Sequence, residues 1–514
     1  MRRMLVLLGC LIAGTWVAEA QETAPASGET SSKAAKPLEP VVGPPEMIIE
    51  LLKLSHEQDQ VLSVPVRLQM LRMQTQMMLP LDAALARVWA EEIFRVSQEG
   101  TPGDRESAQQ FSLGLLAEAE PDRALVLLHS MKTEDANALG NLSPPKLQIV
   151  ARAFAALARR DGASALPRLE DEAARLGAEG QYPYLALGQA AVQSVNDDWG
   201  KDNDHAVEVV KRAYEKMFAR YSQGSRGYPD DFQFGEMLGV VSGAVPPEVV
   251  RPGVRALVKS LLAMNDAKYQ PAAEVFTKDG QSVKSENGTD AGILFFGGVI
   301  QRVDPELAQE LETTRLGLRN LEYTKDGMQT SMKLGWKNLR PSDPSEEARS
   351  EAVRVSRVNA DTAMAKAAQL PDDERRAATL LDMARGMAGY DPGKAALLIE
   401  EASGKSADDA MNVNVASARA YVAAGEGKKK ELRENLRQGF SLAGRVFAEQ
   451  ERTGLVRLVA GLPQMVQLGA QYELEITTSF VQSMPASYEK AMMFFGMANV
   501  VQGAPILERR RKVE

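Results

Sequence analysis

Cysteine is almost absent from this chain of 514 residues, in which Cys10 is the only one. Cys10 lies inside an apolar run near the N-terminus, so a processed chain that loses this run holds no thiol. Such a chain forms no disulfide bond and offers neither a cysteine nucleophile nor a thiolate ligand for a metal. Its stability must come from packing, which a chain of this length supplies because it can bury a large core.

Histidine is scarce as well, with three residues in the whole chain: His56, His129 and His205. A histidine metal site would have to gather most of them from points spread over about 150 residues, and His56-Glu57 lacks the second histidine of a zinc-protease helix. The G-x-S-x-G elbow of serine hydrolases does not occur either. The sequence therefore predicts no catalytic, cofactor-binding or metal-binding residue.

Long apolar runs are missing after residue 20, where no stretch reaches the roughly 20 residues of a membrane helix. The formal net charge is −9, which is unfavourable for binding nucleic acid. Basic residues do cluster at 428–430 and 509–511, but no aromatic side chains alternate with them to stack on bases. We therefore expect no nucleic-acid partner and no transmembrane segment in the mature chain.

The first twenty residues have the order of a secretory signal peptide. Arg2 and Arg3 precede an apolar run that extends to Val17, and Ala18 and Ala20 form the small-residue cleavage pattern. Cleavage after Ala20 is expected, so the protein would be exported to a periplasmic or extracellular location. The alternative is that Cys10 is lipid-modified. Its position in the middle of the apolar run argues against this alternative.

Residues 21–45 contain five prolines and few side chains that could be buried, so they predict a disordered tether. From Glu46 onward apolar residues recur at helical spacing, as in Val207, Val210 and Tyr214. Glycine, proline and asparagine clusters interrupt this pattern roughly every 15 to 25 residues. These features predict an all-α fold of antiparallel helix pairs, with one small β-hairpin around residues 275–283 as an alternative for that stretch.

An internal repeat supports helix pairs. The pattern P-x-x-A-x-x-L, preceded by an acidic residue, begins at Pro121, Pro305 and Pro392. Proline fits the first position of a helix, and the acid before it favours the positive helix end. The intervals, from 121 to 305 and from 305 to 392, are close to four and two units of roughly 40 to 47 residues, the length of HEAT-type pairs. Alternatively, three ordinary helices share one start signal.

On this pattern the chain resembles the α-solenoid superfamily, in the broad sense that includes tetratricopeptide-like and HEAT-like arrays. The resemblance concerns architecture over roughly residues 46–505, and the Trp, Gly and Tyr signature positions of a true tetratricopeptide repeat are missing. It therefore implies a stack of helix pairs and no particular functional residue.

A change of composition at residues 323–345 predicts a connector between two arrays. The expected organisation is a signal peptide at 1–20, a tether at 21–45, an N-terminal helical array at 46–322 and the connector at 323–345. A C-terminal helical-repeat array at 346–505 and a charged tail at 506–514 follow.

Four short motifs have a functional and a structural interpretation. The acidic loop 196–204 could bind calcium or cap the next helix. Residues 389–394 resemble a phosphate loop but fit a helix start better. Ser487 and Lys490 match S-x-x-K without the companion motifs of penicillin-recognising enzymes. The methionines Met70, Met73, Met77 and Met78 form a stripe that could bind copper(I) or fill a core.

A stack of helix pairs creates extended surfaces, so we expect a non-enzymatic scaffold whose partner is a protein or peptide. The alternative is an all-α envelope enzyme that acts on glycan or peptidoglycan through paired carboxylates. Glu106-Ser107 matches the start of a lytic transglycosylase motif, but nothing after it continues the motif. Tryptophans that could stack on sugar rings are few after residue 20: Trp89, Trp199 and Trp336.

Overall fold

The protein is represented by a computed structural model that describes most of the chain. The described residues are 38–131, 145–179, 182–195, 203–223, 228–263, 273–276, 282–285, 288–318, 331–333, 344–373, 375–403, 408–453 and 459–503. The predicted signal peptide, residues 21–37 of the tether, residues 196–202 of the acidic loop, most of the connector and the charged tail lie outside them.

Helices dominate the described chain, so the predicted all-α class is confirmed. The N-terminal half contains α1 Pro45–Glu57, α2 Val64–Met78, α3 Ala83–Ser97, α4 Pro102–Ala119, α5 Pro121–His129, α6 Pro145–Asp161, α7 Leu166–Ala178, α8 Tyr184–Ser194, α9 Asp204–Gln223, α10 Tyr228–Val241, α11 Pro247–Leu262, α12 Gly288–Phe295, α13 Gly297–Val303 and α14 Pro305–Thr314. Short 3-10 turns occupy Gln58–Val61, Gly162–Ala165 and Leu316–Leu318.

The C-terminal half continues the same pattern. It contains α15 Pro344–Ser356, α16 Ala360–Gln369, α17 Arg376–Met387, α18 Pro392–Ser403, α19 Asp409–Gly425, α20 Lys429–Thr453, α21 Leu462–Tyr472, α22 Leu474–Ser483 and α23 Tyr488–Val501. In the described ranges every helix is too short or too polar to cross a bilayer.

The three prolines of the repeat each begin a helix, as predicted. Asp304 accepts a hydrogen bond from the amide of Leu307 at 3.3 Å, and Asp391 accepts one from Lys394 at 3.1 Å. Both acids therefore satisfy an amide that the first helical turn leaves without a partner. Glu120 makes no such cap.

The spacing of the helix pairs differs between the two halves. Pairs in the N-terminal half begin at residues 102, 145, 184 and 228, about 40 residues apart, which agrees with the HEAT-like length. Pairs in the C-terminal half begin at 344, 376, 409 and 462, at irregular intervals of 32, 33 and 53 residues. The estimate of 40 to 47 residues is therefore wrong for the C-terminal half, where α16 and α18 are shorter.

A small sheet interrupts the helices. Strands β1 Ala273–Phe276, β2 Ser282–Ser285 and β3 Ser331–Lys333 form an antiparallel sheet in the order β2-β1-β3. Val275 is opposite Val283 on one side and opposite Met332 on the other. The hairpin expected at residues 275–283 coincides with β1 and β2, and β3 falls within the predicted connector.

The described residues form two large hydrophobic cores and a small third cluster of Leu68, Leu71, Ile93, Val96 and Ala108. One core contains buried residues from Ala90 to Leu318. The second combines buried residues from Ala352 to Val501 with six from the start of the chain: Ile48, Leu51, Leu52, Met78, Ala86 and Trp89. Among the described helices α1 thus packs against α23, and α1, α2 and α3 complete the core of the C-terminal half. The division between the two arrays at 323–345 stays a prediction.

The end of the predicted tether is also part of the fold. The amide of Val41 donates to the carbonyl of Gln471 at 2.7 Å, and the amide of Gly43 donates to the carbonyl of Val501 at 3.0 Å. The two halves are therefore joined through α1, α2 and α3 as well as by the chain through β3. Because ten residues, 334–343, separate β3 from α15, these two elements lie within about 40 Å of each other.

Candidate functional site

The most concentrated set of buried charged and polar side chains lies where α1, α2 and α3 meet. We call it the junction cluster. It consists of Ser55, His56, Asp59, Arg67, Gln74 and Glu92. Ser55, Asp59 and Gln74 are fully buried. No sequence motif connects these residues, because three separate elements and the turn after α1 supply them.

His56 is the centre of the cluster and lies between two carboxylates. Its Nε2 is 3.2 Å from an oxygen of Glu92, and its Nδ1 is 3.4 Å from Oδ2 of Asp59. The second contact has ion-pair distance without hydrogen-bond geometry. The imidazole also stacks on the ring of Trp89, with 4.6 Å between the ring centroids. The ring is therefore held in one orientation.

The surroundings shift three pKa values. Burial works to lower the pKa of His56, but Asp59 and Glu92 outweigh it and raise this pKa to about 9. His56, with help from Arg67 at 2.6 Å, overcomes burial and lowers the pKa of Glu92 to about 2. Burial raises the pKa of Asp59 against the opposing effect of His56. At neutral pH the cluster therefore contains an imidazolium ion paired with the Glu92 carboxylate and close to Asp59.

This charge state limits the chemistry of the cluster. An imidazolium ion has two N–H donors and no free lone pair, so it can neither accept a proton nor bind a metal. Its pKa is too high for a general base at neutral pH. What the cluster can do is hold three helices together, since truncating one partner of a buried charged network is strongly destabilising.

A chain of hydrogen bonds links the cluster to the last helix. The amide group of Gln74 donates to Asp59 at 3.3 Å and to the hydroxyl of Ser55 at 2.9 Å. Ser55 in turn donates to the carbonyl of Ala491 in α23 at 2.8 Å. The junction cluster therefore connects the beginning of the chain to its C-terminal half.

The other two histidines lie at different helix contacts. His129 is 2.8 Å from Glu172 and 3.0 Å from Glu179, and His205 is 4.0 Å from Glu170. The structure thus does not bring the three histidines together. Within the part of the chain that is described, no group of three or more His, Cys, Asp or Glu side chains could hold a metal ion.

The methionine stripe and the loop at 389–394 have structural explanations. Met70 and Met78 are fully buried in the core, and Met73 and Met77 are half-buried, which favours a core seam. Lys394 pairs with Asp361 at 2.6 Å and lies in the first turn of α18, where its amide donates to Asp391.

The S-x-x-K motif also has a structural explanation. Ser487 caps α23 by accepting a hydrogen bond from the amide of Lys490 at 3.2 Å. The ammonium of Lys490 donates to the carbonyls of Gln482 and Met484, both at 2.8 Å, and so does not approach the serine as a base would.

Replacing Ser487 by alanine should therefore lower the free energy of unfolding by about 1 kcal/mol, the usual loss for a helix cap. Replacing it by aspartate should preserve stability, because aspartate caps equally well. Urea denaturation of the three proteins measures this difference. Covalent labelling of Ser487 by a serine-directed acylating reagent would contradict the structural role.

Ion pairs connect four helices that alternate along the N-terminal half. We call the surface formed by α3, α5, α7 and α9 the ion-pair face. Its cross-helix ion pairs are Glu91–Arg123 at 2.9 Å, Arg212–Glu170 at 2.6 Å and Asp122–Arg168, with Arg87–Glu120 at 3.3 Å where α5 begins. A hydrogen bond between His129 and Glu172 at 2.8 Å joins α5 to α7. Arg123 lowers the pKa of Glu91, which keeps that pair charged at neutral pH.

Two exposed valines lie on this face. Val88 in α3 and Val126 in α5 are each 62% exposed. Val88 precedes Glu91 by one helical turn, and Val126 follows Arg123 by one turn. Because Glu91 and Arg123 are paired, the two valines flank this salt bridge on opposite sides. A shallow groove of about 300 Å³ lies at the start of α5 and is lined by Glu118, Ala119, Pro121, Ala156, Arg159 and Arg160.

No protein-family model matches this chain, and the search of curated proteins finds no significant match. The architecture and the chemistry of the described residues therefore carry the functional argument.

Proposed function

We propose that this protein is an exported helical scaffold that binds another protein, or a peptide segment of one, on the ion-pair face. The observation that carries the proposal is the pair of exposed valines, Val88 and Val126, on either side of the Glu91–Arg123 salt bridge. Covering one valine contributes about 1.5 kcal/mol or more to binding.

The charges of the face favour such an interface. A partner that covers an unpaired charge must remove its water without compensation, which opposes binding. Glu91 and Arg123 already satisfy each other. A partner could therefore cover the two valines and this salt bridge without leaving either charge unpaired.

The architecture supports the same conclusion. Stacked helix pairs add length without closing the surface, and proteins of this kind bind extended partners along it. The predicted signal peptide would bring the protein to the cell envelope or beyond, so its partner is to be sought there.

The test is a pull-down from envelope extract with residues 21–514, compared with a double variant. Val88→Lys and Val126→Glu each introduce a charge one turn from an opposite charge, so both should preserve their helices. We expect a stoichiometric protein partner with the unchanged protein and at least about a tenfold loss of it with the double variant.

Val358→Lys is the matched control, because Val358 is 68% exposed and lies between α15 and α16 in the other half. It should retain the partner. Equal recovery by all three proteins would show that the ion-pair face is not the binding surface. Recovery of muropeptides or other small molecules alone would contradict the scaffold and favour the glycan-directed enzyme.

A further inference from the structure

The beginning of the described chain spans both halves of the molecule. We call residues 38–61 the closing strap. Its amides at Val41 and Gly43 donate to carbonyls of α21 and α23, and Ser55 donates to Ala491. These three hydrogen bonds attach both ends of the strap to the C-terminal half.

Close packing reinforces the attachment. Ile48, Leu51 and Leu52 of the strap are buried in the C-terminal core. Gly43 lies so near α23 that a Cβ atom added there would overlap a methyl carbon of Val501. The strap therefore covers α23 directly, and Val501 itself is fully buried.

The far end of the strap depends on the charge of His56. The groups that face it are Asp59 from the strap, Arg67 and Gln74 from α2, and Glu92 from α3. Arg95 of α3 also approaches Glu92 at 3.5 Å. The last helix, α23, contributes the Ala491 carbonyl, while Lys490 points to the carbonyls of Gln482 and Met484.

Loss of the His56 proton would leave Glu92 and Asp59 without this cation. Glu92 would keep its hydrogen bond from the Arg67 guanidinium. Asp59 would have the amide group of Gln74, at 3.3 Å, as its side-chain hydrogen-bond donor among the described residues. A buried carboxylate with so little compensation is strongly disfavoured. Asp59 is then relieved either by taking up a proton or by movement of the turn after α1 into water.

We propose that the closing strap is a latch, which joins α1 to α23 while His56 is protonated and releases when that proton is lost. Release would separate α1 from α23, while Met78, Ala86 and Trp89 of α2 and α3 stay packed in the C-terminal core. Since the cluster raises the pKa of His56 to about 9, the latch should weaken as pH rises through that value.

The experiment measures the exposure of position 501. Val501→Cys places a thiol under the strap in residues 21–514, which contain no other cysteine. Val358→Cys, at an exposed position, is the control that corrects for the effect of pH on thiol reactivity. The ratio of the two labelling rates should rise at least about tenfold between pH 7 and pH 10, while circular dichroism shows unchanged helix content.

His56→Gln should make the ratio high already at pH 7 and independent of pH. A flat ratio with native His56, or a rise that accompanies loss of helix, would overturn the latch. Because the pH series with native His56 is decisive alone, the proposal remains testable even when His56→Gln does not fold.

Discussion

Replacing His56 by glutamine should lower the free energy of unfolding by about 3 kcal/mol at pH 6. The folded protein raises the pKa of this imidazole from 6.5 to about 9. Each unit of difference contributes roughly 1.4 kcal/mol through proton linkage. Because the folded state raises the pKa of His56, the protonated imidazole stabilises the fold. This stabilisation is complete below pH 6.5, the pKa in the unfolded chain, and is lost as pH rises through about 9.

Urea denaturation at intervals from pH 6 to pH 10 measures this effect. The unchanged protein should lose stability over that range, and the His56→Gln protein should lose much less. His205→Gln is the control, since His205 is about half exposed and 4.0 Å from its carboxylate. A pH profile of the unchanged protein that is flat between 6.5 and 9, or an equal effect of His205→Gln, would contradict the charge network.

Replacing Gly425 by alanine should lower the free energy of unfolding by about 3 kcal/mol, near the upper end of typical overpacking losses. Gly425 ends α19 against the turn after α17, and a Cβ atom added there would overlap the carbonyl oxygen of Ala388. This oxygen belongs to the backbone, so the clash can be relieved only by separating the two helices.

Gly444 provides the matched control for this substitution. It lies in the middle of α20, is exposed, and a Cβ atom added there would have no neighbouring atom within 4 Å. Gly444→Ala should therefore raise stability by about 0.5 to 1 kcal/mol through helix propensity. The two substitutions should shift the urea midpoint in opposite directions, and a shift in the same direction would show that α19 does not pack on this turn.

Local signals predicted the helices well. The acid and proline at 304–305 and at 391–392 begin helices because the features that stabilise a first turn are encoded within a few residues. The repeat did not fix the number of helix pairs, since α12, α13 and two strands lie between α11 and α14. Unit length was less predictable, because loops and helices differ in length between the halves.

Contacts between distant residues could not be predicted. The packing of α1 on α23 brings Gly43 next to Val501, and no periodicity encodes a contact across the whole chain. The junction cluster was missed for the same reason. Its one local signal is the pair His56 and Asp59, three residues apart on one helical face, and Glu92 meets them only through folding.

The exposed valines show a second limit. Val88 fits the helical pattern of apolar residues in α3, so the sequence suggests a core position, yet it is 62% exposed. Trp89 and Ile93 occupy the buried side of that helix instead. Helical spacing shows that a helix has an apolar side, but it does not show which residues at the margin of that side are buried. A functional surface can include such a marginal residue.

The most direct test of the proposed scaffold is hydrogen exchange of the protein with and without the partner recovered from the envelope. Partner binding should slow amide exchange in α3 and α5, residues 83–97 and 121–129, and leave α15 and α16 unchanged. Slowed exchange confined to the C-terminal half, or no change on adding a stoichiometric partner, would contradict binding at the ion-pair face.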